Sequence, residues 1–172
     1  MAVLTPLWTG EAITDNDAIA SFLSPRNIAF ATWEIPAEAR ELAALPRLDD
    51  SQKSRLLALF ADRLGETEYP SADVVAIRSD LPGLGDALAK FDRLHYHDDD
   101  EVRAIVGGEG VFGFMDGDDR QFLLHIVAGE YISVPAMTWH WFYCTESKNI
   151  TALRLFEDMS GWVPHYRSDA TS

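Results

Sequence analysis

The spacing of apolar residues changes character once along this chain, near residue 72, and that change constrains the fold more than any other feature. Ahead of it, apolar side chains recur every three or four positions, as on one face of a helix. Beyond it they fall into short β-branched and aromatic runs, broken by Gly, Asp and Pro roughly every ten residues, the rhythm of a sandwich or barrel.

Helices are therefore expected in the first part. Thr14 or Asp15 is suited to cap one carrying Ile19, Phe22 and Leu23, with Pro25 ending it. Pro36 opens a second, with Glu38 and Glu41 favourable near its N-terminus and Pro46 limiting it. Ser51 is expected to cap a third, whose Leu56, Leu57, Phe60 and Leu64 form one stripe and which Gly65 closes. Strands are expected at 74–77, 102–106, 111–114, 122–127, 131–134, 141–143 and 151–156, with Asp116-Gly-Asp-Asp as a hairpin tip and a short helix near 86–91. The reading is a mainly β protein: an antiparallel β-barrel from residues 73–166, with the mostly helical residues 1–72 packed outside it, as a single domain spanning 1–172.

Charge narrows the partners. With 28 Asp and Glu against 14 Lys and Arg, the formal net charge is -14, which repels phosphate backbones and anionic lipid surfaces. No nucleic-acid or membrane partner is expected, and no apolar run approaches the length of a bilayer span. Cys144 is the only cysteine, so no intrachain disulfide can form, and the N-terminus lacks the pattern of an export signal. A cytoplasmic monomer is the expectation. The same negative field disfavours an anionic substrate unless its site supplies a metal or a buried arginine.

One segment offers a metal. His95-Tyr-His97 places two imidazoles two residues apart, on one face of a strand, just before Asp98-Asp-Asp100 and Glu101. If the acidic triplet is a solvated hairpin tip, Glu101 starts the returning strand and faces the same interior. Imidazole and carboxylate donors suit divalent Fe, Ni, Mn, Co or Zn. A His-x-His pair alone is common by chance, and a solvated polar hairpin is the bland alternative. His125 and His165 show no ligand pattern.

The spacing extends further. Glu101 follows His97 after three intervening residues, Gly108 follows Glu101 after six, Pro135 follows Gly129 after five, and His140 follows Pro135 after four. This set resembles the two motifs of the cupin superfamily, and the resemblance implies His140 as a fourth ligand. Flanked by Trp139 and Trp141, that histidine taken alone reads more readily as a core residue; the Gly129, Pro135 and His140 spacing tips it to a ligand. A glycine is usual two residues after the motif proline; Met137 stands there instead.

Within the cupins, the stretches 95–103, 108–114, 132–142 and 152–156, followed by Gly161-Trp162, resemble acireductone dioxygenases. The resemblance implies a cupin-type jelly roll (double-stranded β-helix) holding one Fe²⁺ or Ni²⁺ per chain on His95, His97, Glu101 and His140. It also implies cleavage of acireductone, 1,2-dihydroxy-3-keto-5-methylthiopentene, by O₂ in methionine salvage. With Fe²⁺ the expected products are formate and 4-methylthio-2-oxobutanoate; with Ni²⁺ they are formate, CO and 3-methylthiopropionate. Arg103, two residues beyond Glu101, and Arg154, within an apolar run, are candidate catalytic charges; pairing with barrel carboxylates is the structural alternative. Phe142 and Trp162 are candidate substrate contacts, with Phe91 a further aromatic of the same kind. Another cupin dioxygenase acting on a diketone or flavonol, or a non-catalytic ligand-binding cupin, shares the same donor set.

Overall fold

The computed structural model describes residues 1–157 and 163–167. Ten strands occur among them: β1 Val3–Pro6, β2 Ala29–Thr32, β3 Ser71–Ile77, β4 His95–Tyr96, β5 Glu101–Met115, β6 Gln121–Val127, β7 Glu130–Val134, β8 His140–Tyr143, β9 Ile150–Phe156 and β10 His165–Tyr166. Every pairing is antiparallel. One sheet runs β1-β6-β5-β8-β4-β10; the other runs β2-β7-β5-β9-β3. The two share β5, giving the mainly β jelly roll that was expected. Among the described residues the pairing does not close into a hydrogen-bonded cylinder.

Two runs expected as separate strands, 102–106 and 111–114, are one strand of 15 residues. It stays continuous because Gly107 and Gly108 carry it from one sheet to the other. The register with β9 slips between Ile105 and Gly107, and Gly108 adopts a left-handed φ of 72°. A Cβ on Gly108 would lie 1.9 Å from the carbonyl oxygen of Asn149, so no larger residue fits without moving backbone.

Helices α1 Asn16–Leu23, α2 Ala37–Ala43, α3 Asp50–Leu59, α4 Ala61–Gly65 and α5 Leu84–Leu88 lie outside the sheets in sequence order. Asp15 caps α1, accepting from the Ala18 amide at 2.9 Å. The third helix is capped by Asp49 and not by Ser51: Asp49 accepts from the Gln52 amide, and the Gln52 side chain accepts from the Asp49 amide, both at 2.8 Å. This reciprocal pair satisfies two orphan donors, which a lone serine inside the first turn cannot do. Residues 1–72 also contribute β1 and β2, edge strands too short to produce a period-two signal. Buried Glu130 anchors the first of them, accepting from the Ala2 amide at 2.8 Å and the Val127 amide at 2.6 Å.

Alternation along the strands divides the apolar residues into two layers. Val74, Val102, Ala104, Val106, Leu153 and Leu155 pack with Ala39, Ala43, Leu56 and Phe60 of the helices. Ile105, Phe112, Phe114, Ile132, Ile150 and Ala152 point the other way, into a second cluster. A strand buried on both faces reads as a nearly continuous apolar run, as β9 does apart from Thr151 and Arg154. Arg78, directly after β3, fastens the layers: it is buried and donates to the carbonyls of Ala43 at 2.8 Å and Leu45 at 2.9 Å and to Thr151 Oγ1 at 3.0 Å. Its charge meets the exposed carbonyls at the end of α2.

Gly108→Ala is expected to cost about 2 kcal/mol or more, from left-handed strain and overlap with Asn149. Gly117→Ala, where the added Cβ meets nothing, should stay within about 0.5 kcal/mol of the parent. Chemical denaturation of the two variants checks the contrast.

Candidate metal centre

Strand pairing brings the histidines together. His95 on β4 stands in register with His140 on β8, and the Met137 amide donates to the His97 carbonyl at 2.8 Å, tying the end of one segment to the approach of the other. All three rings are buried, and one ligand atom from each lies within 4.8 Å of the others. Glu101, also buried, places Oε2 2.6 Å from His140 Nε2 and 3.8 Å from His97 Nε2.

These residues do not form the simple hairpin expected from the sequence. β4 pairs with β8 and β10, whereas the start of β5 pairs with β7 and β9. The acidic triplet therefore crosses between sheets, and it is not wholly a solvated turn. Asp98 is exposed and pairs with His165 at 2.9 Å, but Asp100 accepts from the Ala136 amide at 2.9 Å and from the Tyr69 hydroxyl at 2.8 Å. Those bonds pin the crossing and aim Glu101 inward.

Ring orientation follows from two backbone contacts. His95 Nδ1 donates to the Arg93 carbonyl at 2.6 Å, and His140 Nδ1 donates to the Thr138 carbonyl at 2.8 Å. A carbonyl only accepts, so the proton of each neutral ring sits on Nδ1 and the Nε2 lone pair faces the cluster. His95 Nε2, His140 Nε2 and Glu101 Oε2 are buried with no hydrogen-bond partner among the described residues, although the last two lie 2.6 Å apart as a charge pair. Leaving such groups unsatisfied costs about 1–3 kcal/mol each, a cost that a shared cation removes. The donor set fits a divalent metal.

Electrostatics agree. Desolvation pulls His95 down to about 4, so its lone pair is available at neutral pH. His140 is desolvated too, yet the facing Glu101 carboxylate outweighs this and raises it. Burial would raise Glu101, but Arg103 and His140 overcome it and hold the carboxyl well below the usual range. Proton and metal compete for one gap between His140 and Glu101.

Beside the cluster lies a cavity of about 110 Å³. His95, Glu101 and His140 form one end; Val75, Ile77, Ile105, Phe112, Ile150 and Ala152 supply apolar wall. Arg103 and Arg154 both line it, and both also pair with carboxylates: Arg103 Nη2 donates to Glu101 Oε1 at 2.9 Å, and Arg154 donates through Nε and Nη2 to Asp73 at 2.7 and 2.6 Å. The two readings of these arginines are thus compatible. Phe142 lines the cavity, with its amide donating to the Phe91 carbonyl at 2.7 Å.

Residues 11–164 match the model of the ARD/ARD' family. The chain belongs to the acireductone dioxygenase family. Acireductone dioxygenase of Leptospira interrogans is 42% identical over 93% of this chain and 92% of its own. That of Trichodesmium erythraeum is 40% identical over 98% and 96%. Among solved structures, an acireductone dioxygenase from Bacillus anthracis with a cadmium ion in its active centre superposes with a TM-score of 0.88, at 28% identity, over 96% of this chain and 98% of that one.

Within this family frame, Met137 ceases to trouble the second cupin motif. It takes a left-handed φ of 67°, the conformation a glycine would adopt, and its side chain is exposed. The turn is kept at a strain of roughly 1–2 kcal/mol, and His140 is placed regardless. Trp162, with Gly161, lies outside the described residues. Phe91 lines the cavity with Phe142, while the contacts of Asp73 with Arg154 and of Asp100 with the Ala136 amide belong to no sequence motif. Alternation with Val75 and Ile77 was the available signal for Asp73, and nothing local distinguished Asp100 from its two neighbours. His125 stands apart, 3.4 Å from Glu109 on the sheet surface.

His140→Ala and Glu101→Gln are each expected to weaken metal binding at least tenfold, read as metal content after dialysis. Because a proton on His140 must leave, apparent affinity should fall by about tenfold for each pH unit below the His140 pKa, with proton release on loading; titration calorimetry in buffers of different ionisation enthalpy checks this.

Proposed function

We propose that this chain cleaves acireductone with O₂ through a single Fe²⁺ or Ni²⁺ held by His95, His97, Glu101 and His140. The observation that carries the reading is the convergence of buried, unsatisfied Nε2 and Oε2 lone pairs at the end of a cavity that also presents two guanidinium groups. A divalent metal bound there would supply Lewis-acid charge and a template for two adjacent enediol oxygens.

The protein's own groups supply the rest. Acireductone is readily ionised, and Arg103 and Arg154 place fixed positive charge where its oxygens would lie, reversing locally the field of a chain whose net charge is -14. Val75, Ile77, Ile150 and Ala152 offer the methylthio tail an apolar wall and keep water from the reacting end. Phe142, from β8, packs on the same side, and Trp162 is proposed as a further contact. With Fe²⁺ the products are formate and 4-methylthio-2-oxobutanoate; with Ni²⁺ they are formate, CO and 3-methylthiopropionate. Both sets account for every atom of substrate plus O₂.

No helix among the described residues is long and apolar enough to cross a membrane. We place the enzyme in the cytoplasm, in methionine salvage, as a single-domain monomer. Protein reconstituted separately with each metal, mixed anaerobically with acireductone and then exposed to O₂, is expected to yield the two product sets, with Arg103→Met lowering kcat/KM by tenfold or more. Substrate loss no faster than the uncatalysed background, with either metal, overturns the reading.

A further inference from the structure

One row of charged side chains runs across three strands at a single level. Antiparallel register sets Asp73 of β3 opposite Arg154 of β9, and Arg154 opposite Arg103 of β5. Arg103 in turn reaches Glu101, two residues earlier on the same face. The sequence of charge is minus, plus, plus, minus, ending at the metal ligand. Two guanidinium groups directly opposite each other on adjacent strands repel, and the row is tolerable because a carboxylate stands at each end.

Asp73 does not line the cavity, whereas Arg154 does. Its contact with Arg154 is side-on and bidentate: Nε donates to Oδ1 at 2.7 Å and Nη2 to Oδ2 at 2.6 Å. Two parallel bonds from one edge of the guanidinium fix the plane of the whole group, which a single bond leaves free to turn. A purely structural staple is not needed here, because β3 and β9 are already paired from Ser71↔Phe156 through Ile77↔Ile150. The position is also an unusual one for a carboxylate, since it alternates with Val75 and Ile77 on the cavity side of the strand.

We propose that Asp73 is a positioning residue for the dioxygenase reaction: it holds the Arg154 guanidinium in one plane against the substrate and balances the second of two like charges that the strand register forces together. This rests on the reading of Arg154 as a substrate-facing group. Asp73 stands outside the cavity lining and acts chiefly through Arg154, which takes both of its hydrogen bonds.

Asn in place of Asp73 keeps the volume but can accept only one of the two donated hydrogens, and its amide opposes the other. Asp73→Asn is therefore expected to lower kcat by 10- to 100-fold, with KM within threefold and metal content unchanged. Combined with Arg154→Met it should cost nothing beyond Arg154→Met alone, since a residue that acts through another has no effect once that one is gone. Asp73→Glu, which keeps the charge but lengthens the arm, should lower kcat threefold to tenfold and guards against a folding defect in the Asn variant. Independently of turnover, the Arg154 side-chain Nε–H of the zinc-loaded protein should exchange slowly with solvent in ¹⁵N spectra and lose that protection in Asp73→Ala. Unchanged kcat in both Asp73→Asn and Asp73→Glu, additive losses in the double variant, or a protected Nε–H in Asp73→Ala would overturn the proposal. If the wild type turns over no acireductone, the functional reading fails, and the Nε–H exchange still decides whether Asp73 holds Arg154.

Discussion

A strand that hydrogen-bonds in two sheets must pass from one to the other without losing its pairing, and β5 does this at Gly107 and Gly108. Its first half lies between β7 and β9, its second between β6 and β8. Because of the bend, Glu101 at the beginning of the strand meets His140, whose register partner is Phe114 near the strand's end. The meeting of these donors is thus a consequence of one backbone turn: straighten β5 and the carboxylate leaves the imidazoles. The left-handed φ at Gly108 and the closeness of Asn149 explain why the turn is made there and why a side chain has no room.

The second constraint is electrostatic. Burying three imidazoles and a carboxylate beside two guanidinium groups is costly unless every charge is answered. The backbone carbonyls of Arg93 and Thr138 answer two ring N–H groups, Arg103 answers one oxygen of Glu101, and Asp73 answers Arg154. What is left over is a set of unpartnered ring nitrogens and one carboxylate oxygen in one cluster, a donor set that a divalent cation would complete. An acidic protein can in this way carry two guanidinium groups on the wall of one largely apolar cavity.

Much of the site was legible in the chain itself. His95, His97 and Glu101 follow from strand alternation and donor chemistry, and the sheet-forming second half from its short apolar runs. The acidic triplet reads as a hairpin tip when sequence neighbours pair with each other; in the fold β4 finds β8, and Asp100 spends its carboxylate on Tyr69 and the Ala136 amide. Ser51 has the chemistry of a cap, but Asp49 and Gln52 form the reciprocal pair at the start of α3. Strands β1 and β2 were invisible, because four residues held at an edge by Glu130 or by β7 have no periodicity to read.

The sequence by itself determined the donor types, their presence on alternating strand positions, and the apolar faces that bury them, because these depend on local geometry and on period two. His140 entered only through a motif spanning distant segments, since no local rule links residue 140 to residue 95. Tertiary structure decided which strands became neighbours, that Arg103 and Arg154 share a level, that Asp73 stands behind them, and that Arg78 closes the end of α2. Those pairings depend on strand register and on a bend in β5, and register is a property of two segments at once, set by what they jointly bury.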